Sequence, residues 1–352
     1  MDKINTGLIG FGTGGSIFHA PIISSIPHFN LAMISTANEK SASTAQSLYP
    51  TTRIVSDPAT LINDPSIELV IIATPNYEHF PLAIKALKTG KHVVVEKPFT
   101  VTSAEADSLI ALSEQMQRII TVHHNRRWDS DFKTVQKIIE NNSLGNLVEY
   151  EAHFDRFRKT LKAGSWKEEP TEASGILYDL GSHLIDQAAL LFGLPDELFA
   201  NLQIQRPGSL VVDHFELLLF YPGLKVTLKA GMLVNSMLPH FILSGTNGSF
   251  VKYGMDVQEE ALKNGLTPLT YPAWGIEPAA LHGTIITESA SRQLITKIES
   301  ERGDYREFYL SLYATLRMNS PLAVTPQQAR NTIKIIELAI KSNDEKRTLK
   351  FA

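Results

Sequence analysis

Apolar positions in the first third of the chain fall in short β-branched runs, separated by stretches in which they recur every three or four residues. The runs Thr6–Ile9, Asn30–Ser35, Arg53–Val55, Glu68–Ala73, His92–Glu96 and Arg118–Val122 read as strands. The third is the weakest, being short and flanked by turn residues. Between the fourth and fifth, Phe80, Ala83, Ile84 and Leu87 form a helical stripe that ends at Gly90, a residue suited to the left-handed conformation after a helix. Thr102-Ser103-Ala104-Glu105 reads as a capping box opening a helix through Leu109, Leu112 and Met116. Strand and helix in strict alternation predict an α/β fold, its parallel sheet covered on both faces.

The alternation stops near Asn125, which sets the expected boundary between a domain over 1–124 and a second over 125–352. A helix is predicted from about Asp129, through Phe132, Val135, Ile138 and Ile139, to a stop at Asn142–Gly145. Strand-like runs follow at Leu147–Phe157, Glu197–Ile204, Asp213–Tyr221, Lys225–Met232 and His240–Ser244. Turn signals such as Tyr221-Pro222-Gly223 and Thr246-Asn247-Gly248 join them, predicting an open, mainly antiparallel sheet. Leu217, Leu218, Leu219 and Phe220 are apolar on both alternating faces, so helices are expected on one side and another subunit on the other. The segment 254–300 shows no assignable period. Helices close the chain at Tyr305–Met318 and Pro326–Ser342.

Composition narrows the classes. A length of 352 residues exceeds what one hydrophobic core usually serves, in keeping with two domains. A net charge of −4 without long basic blocks argues against a nucleic-acid partner. The absence of cysteine excludes disulfides, thiolate catalysis and Cys-ligated metal. No apolar run approaches the roughly 20 residues that span a bilayer, and the N-terminus lacks a signal-peptide core, so a cytoplasmic protein without membrane contact is expected.

Candidate chemistry sits where the strands end. Gly10-Phe11-Gly12-Thr13-Gly14-Gly15 follows the first strand and fits G-x-G-x-x-G, whose glycines let the backbone approach a pyrophosphate at a helix N-terminus. The second strand ends in Ser35-Thr36-Ala37-Asn38 rather than an acid, with Lys40 close behind. That arrangement favours the 2′-phosphate of NADP over NAD, unless Glu39 takes the role of the acid. Thr74-Pro75-Asn76 and Glu96-Lys97-Pro98 follow the fourth and fifth strands. Lys97 reads either as a donor to a reacting oxygen or as half of a surface Glu–Lys pair. Asp179, His183 and Asp186, spaced i, i+4 and i+7, share one helix face, either as a general base with its carboxylate or as a cap and a satisfied core histidine. His123 and His124 show no recognised ligand spacing, and no metal is expected.

Together Gly10–Gly15, Glu96-Lys97-Pro98 and the stretch Gly175–Asp186 resemble the Gfo/Idh/MocA oxidoreductase family over nearly the whole chain. His124–Asp129, Leu177–Gln187, Phe250–Gly254 and Glu345–Thr348 look most like its NADP-dependent scyllo-inositol dehydrogenase branch. The resemblance implies an N-terminal Rossmann dinucleotide-binding domain and a C-terminal α/β domain for substrate and oligomerisation, forming a homodimer or homotetramer through the C-terminal sheet. It implies an NADP(H)-dependent enzyme acting on a cyclic polyol or sugar. In that scheme Lys97 binds the substrate oxygen, His183 takes the hydroxyl proton and Asp179 orients or relays. Gly10, Gly12, Thr13, Gly14, Gly15, Ser35, Thr36, Lys40, Thr74, Pro75, Asn76, His79, Glu96, Lys97, Arg127 and Trp166 would line the cofactor. Asn125, Arg156 and Tyr178 would join Lys97, Asp179 and His183 around the substrate. A cofactor-binding sensor without turnover, or a reductase of another carbonyl class such as a dihydrodiol, remains as the alternative.

Overall fold

The computed structural model describes residues 3–162, 164–289 and 292–351. The chain divides into two compact units. One comprises Met1–Asn125, Gln258–Trp274 and Asp304–Arg330; the other comprises Arg126–Val257, Gly275–Gly303 and Asn331–Ala352.

In the first unit, strands β1 (Ile4–Ile9), β2 (Phe29–Ser35), β3 (Arg53–Val55), β4 (Leu69–Ile72), β5 (His92–Glu96) and β6 (Ile120–His123) form a parallel sheet in the order β3-β2-β1-β4-β5-β6. All four residues of β4 are fully buried, as a central parallel strand with both faces covered requires. The order reverses between β1 and β4, and open α/β sheets bind ligands at the carboxyl ends of strands beside such a reversal. The capping box forms as expected: Thr102 Oγ1 accepts from Glu105 N–H at 3.2 Å while Glu105 Oε2 accepts from Thr102 N–H at 3.3 Å. Helix Arg306–Met318 completes the unit from far along the chain. Its Tyr309 and Tyr313 rings stand edge-on to Phe29 at 5.6 and 6.2 Å, and Tyr313 stacks on His28 at 4.2 Å. Thr121 Oγ1 of β6 donates to Val324 O at 2.7 Å.

In the second unit, β7 (Leu147–His153), β8 (Glu197–Gln203), β9 (His214–Tyr221), β10 (Leu224–Gly231), β11 (Phe241–Gly245), β12 (Gly248–Lys252), β13 (Gly283–Ser289), β14 (Arg292–Ile298) and β15 (Leu349–Lys350) form one sheet, ordered β14-β13-β12-β11-β7-β10-β9-β8-β15. Neighbours run antiparallel except β7 and β10, so the sheet is mixed but mostly antiparallel, as the turn signals predict. β9 and β10 join through Pro222-Gly223, with Gly223 at φ +73°, a conformation glycine adopts at little cost. Phe215, Leu217 and Leu219 of β9 are fully buried on one face. Such burial stabilises by about 1.5–3 kcal/mol per large side chain. The alternate residues Glu216, Leu218 and Phe220 are only half-buried on the other face.

The segment without an assignable period holds helix Gln258–Lys263 and the hairpin β13–β14. Within the second unit, a wholly buried ion pair ties Glu277 to the sheet. Lys252 Nζ lies 3.0 Å from Glu277 Oε2, and Glu277 also accepts from Ser130 Oγ at 2.9 Å and Ser300 Oγ at 2.5 Å.

Candidate active site

The glycine loop follows β1 because its backbone fits nowhere else without side chains. Gly10 has φ +93°, and a Cβ there would sit 2.4 Å from Ala73 O; one on Gly15 would sit 2.0 Å from Gly10 O. Gly12 differs, since a Cβ there meets nothing within 4 Å. Two glycines therefore serve the protein's own packing, and Gly12 leaves an open approach to the backbone. Thr13 is exposed, and Gly14 faces Ala73 and Glu96, whose Cγ would lie 3.7 Å from an added Cβ. Ser16 N–H and Oγ–H both donate to Gly12 O.

Ser35 ends β2 with a buried hydroxyl that has no hydrogen-bonding partner among the described residues, and Thr74 Oγ1 is in the same state. Thr36 is half-buried. Exposed Glu39 and Lys40 open helix Glu39–Leu48, whose cap is Asn38, accepting from Ser41 N–H at 2.9 Å. After β4, Pro75 is half-buried and Asn76 buried. His79 is fully buried, with Nδ1 2.9 Å from Pro98 O and Nε2 3.1 Å from Thr74 O, and burial lowers its pKa despite both carbonyls. It braces the loops after β4 and β5. This open glycine loop, the orphan hydroxyls and the helix start after β2 are a donor set that fits a dinucleotide phosphate chain.

Glu96 ends β5. Its Oε2 accepts from Lys97 N–H at 2.9 Å, and its Oε1 lies 3.0 Å from His123 Nδ1 and 2.9 Å from His19 Nε2, the latter not aligned as a hydrogen bond. Burial alone would raise the Glu96 pKa, but contacts from His123 and His19 outweigh it and hold the carboxyl well below its usual range. The same burial, with repulsion from His19, takes His123 down to about 4. His19 Nδ1 meets the Tyr309 hydroxyl, whose pKa burial pushes well up. Ligand atoms of His19, Glu96 and His123 lie within 4.8 Å of one another, close enough to consider a cation. Lys97 is half-buried, and the Lys97–Pro98 peptide is cis.

Asn125, which closes the first unit's long segment, is buried. In the second unit, Tyr178 and Asp179 lie in a π-helical turn, Leu177–Gly181, that runs into helix Ser182–Phe192 carrying His183 and Asp186. The regular helix expected across Asp179 is thus widened, a distortion frequent at functional sites. Asp179 Oδ1 accepts from Lys167 Nζ at 2.7 Å. His183 is buried, its ring stacked 6.3 Å from Phe154, over which Arg156 also lies at 5.0 Å. Asp186 receives a bidentate pair from Arg127, Nε at 2.8 Å and Nη2 at 2.6 Å. Trp166 is half-buried, with Lys167 Nζ 5.8 Å from its ring centroid.

Residues 4–124 match the oxidoreductase family's NAD-binding Rossmann fold, and residues 136–351 match that family's C-terminal alpha/beta domain, both of the GFO/IDH/MocA type. The chain belongs to the Gfo/Idh/MocA oxidoreductase family. This member is 41% identical over 351 residues to the uncharacterized oxidoreductase YdgJ of Escherichia coli, covering 100% of this chain and 99% of that one. It is 36% identical over 349 residues to the NADP(+) scyllo-inositol 2-dehydrogenase IolW of Bacillus subtilis, covering 99% and 96%. The solved structure of YvaA from Bacillus subtilis superposes with a TM-score of 0.95 at 36% identity, covering 100% and 99%. As a Gfo/Idh/MocA protein it is an oxidoreductase with a Rossmann domain for NAD(P) and a C-terminal α/β domain, as the motifs imply. Among the described residues no helix is long and apolar enough to cross a membrane. Sequence reasoning missed His19 and Tyr309. They stand 290 positions apart, and no local pattern marks either.

Proposed function

We propose that this protein is an NADP(H)-dependent dehydrogenase or reductase that interconverts a carbinol and a carbonyl on a cyclic polyol or sugar, with scyllo-inositol as the model substrate. The observation that carries the reading is Lys97, held through its own N–H by the Glu96 carboxylate at the carboxyl end of β5, next to a glycine loop whose Gly12 is open. The NADP(+)-dependent scyllo-inositol dehydrogenase activity for which IolW is named supports the substrate class and NADP, as do the small hydroxyls of Ser35 and Thr36 with Lys40 behind them. When bound, the nicotinamide would accept the hydride leaving the carbinol carbon. Lys97 donates a hydrogen bond to the substrate oxygen. His183 takes the hydroxyl proton as the carbonyl forms, and Asp179, beside Lys167, orients it or relays the proton. Arg156, Tyr178 and Asn125 border the substrate. Half-buried Leu218 and Phe220 on the second face of the C-terminal sheet support self-association as a homodimer or homotetramer, and a cysteine-free chain suits the cytoplasm.

The test is NADPH formation over a panel of inositols and aldoses, with NAD run in parallel, comparing wild type with Lys97→Ala and His183→Ala. General acid–base help is worth about 10²–10⁴-fold, so each variant should lose that much in kcat while binding NADPH normally. Wild-type turnover by Lys97→Ala would refute the assignment.

A further inference from the structure

Glu96 is gripped from two sides within the first unit. One carboxylate oxygen holds the Lys97 N–H at 2.9 Å; the other lies 3.0 Å from His123 Nδ1 and 2.9 Å from His19 Nε2. The two imidazoles are packed 4.2 Å apart, and both side chains are fully buried, while Glu96 is 13% exposed. The Tyr309 hydroxyl meets His19 Nδ1, and burial keeps that phenol protonated, while His19 Nε2 faces Glu96. His123 presents Nδ1–H to the same oxygen. The result is an ionised carboxylate with the neutral His123 imidazole on one side and the His19 ring on the other. His123 Nδ1 hydrogen-bonds that oxygen at 3.0 Å, and His19 Nε2 packs against it at 2.9 Å without hydrogen-bond alignment. Donors about 2.0–2.1 Å from a shared tetrahedral cation would stand roughly 3.3 Å apart.

We propose that His19, His123 and Tyr309 are positioning residues for the reaction. They lock the Glu96 carboxylate, and Glu96 in turn fixes the peptide from which the Lys97 ammonium is presented. A glutamate reaching solvent has other rotamers open to it, and its grip on Lys97 would relax without the two rings. On the far side of Lys97, the Pro98 carbonyl is held by His79 at 2.9 Å, so the lysine is fixed at both flanks. Misplacement of a reacting group by about 1 Å costs on the order of 10²-fold in rate, the scale on which loss of the clamp should register.

The inference rests on the assignment of Lys97 to the substrate oxygen, and the experiment separates the two. His123→Asn keeps an amide N–H where Nδ1–H stands; His123→Leu keeps the bulk and removes the donor. With a substrate from the panel, His123→Leu and Glu96→Gln should lose about 10–100-fold in kcat, with the NADPH affinity of His123→Leu within about twofold of wild type and His123→Asn within about threefold in kcat. A filler role would make Leu and Asn alike. If Lys97→Ala is inactive while His123→Leu, Glu96→Gln and Tyr309→Phe turn over as wild type, the clamp is refuted alone; if Lys97→Ala turns over, the functional reading falls. If no panel substrate reacts, the pH profile of Lys97 acetylation by acetic anhydride, read by mass spectrometry, decides. The profile should move in His123→Leu and Glu96→Gln but not in His123→Asn, and an unmoved profile overturns the proposal. Should His123→Leu not fold, Tyr309→Phe, lacking one oxygen, takes its place in both readouts. Stoichiometric zinc in the purified protein that is lost from Glu96→Gln would also overturn it, since the cluster would then be a metal centre.

Discussion

Single residues carry two measurable consequences. His92 Nδ1 accepts from Ile119 N–H at 3.0 Å, and burial together with Arg118 lowers its pKa from 6.5 to about 4. Between those values the unfolded chain binds a proton that the folded one refuses, so stability falls as pH drops through that window. His92→Asn keeps an acceptor but cannot titrate. Urea unfolding at pH 7, 6 and 5 should show its slope reduced by up to about 1.4 kcal/mol per pH unit, with little change at pH 7. The glycines divide in the same concrete way. Gly12→Ala should melt as wild type yet bind NADPH at least about tenfold more weakly, whereas Gly15→Ala should lower the melting temperature, its Cβ meeting Gly10 O. Titration calorimetry and thermal melts check both. The glycine loop and Lys97 were legible because each follows a strand in sequence, and a βα turn puts its residues at the sheet edge whatever packs elsewhere. His19 and Tyr309 were not, because only tertiary packing brings them together. Nor does any local pattern show the partners that packing gives Arg127 and His79: Asp186 for the first, two backbone carbonyls for the second.

At the level of elements, the strands of the first unit were legible whether buried or not. β3, with Arg53 exposed, and β5 have the bounds their β-branched runs predict, and β1, β2, β4 and β6 differ from expectation by a residue or two at their ends. Hairpin β13–β14 escaped notice because β14 is exposed along nearly its whole length, with Ile295 67% accessible, so no alternation of apolar and polar residues was selected there. The parallel pairing of β7 with β10 was also invisible, since hairpin turns announce only antiparallel neighbours. Besides the pairing of β13 with β12, a buried charge pair fastens 275–303 to this sheet. Lys252→Met leaves the Glu277 carboxylate buried and should destabilise by about 3–5 kcal/mol in urea unfolding, and adding Glu277→Leu should recover much of that loss.

For the molecule as a whole, the chain order and the compact units disagree: the first unit closes only when Asp304–Arg330 arrives. A fragment ending at Asn125 keeps all six strands of its sheet but lacks Phe308, Tyr309, Leu312 and Tyr313, which are buried in the intact protein. It also loses the ion pairs of Arg317 with Glu68 and Arg330 with Asp107. Expressed alone, the fragment should show no cooperative thermal transition by circular dichroism and should bind a hydrophobic dye. The same feature bears on how the protein is made. A ribosome adding about 5–20 residues per second needs roughly ten to forty seconds to pass from residue 125 to residue 330. Throughout that interval the nascent cofactor unit shows Phe29 and His28 uncovered, so its early exposure to chaperones is written into the order of synthesis.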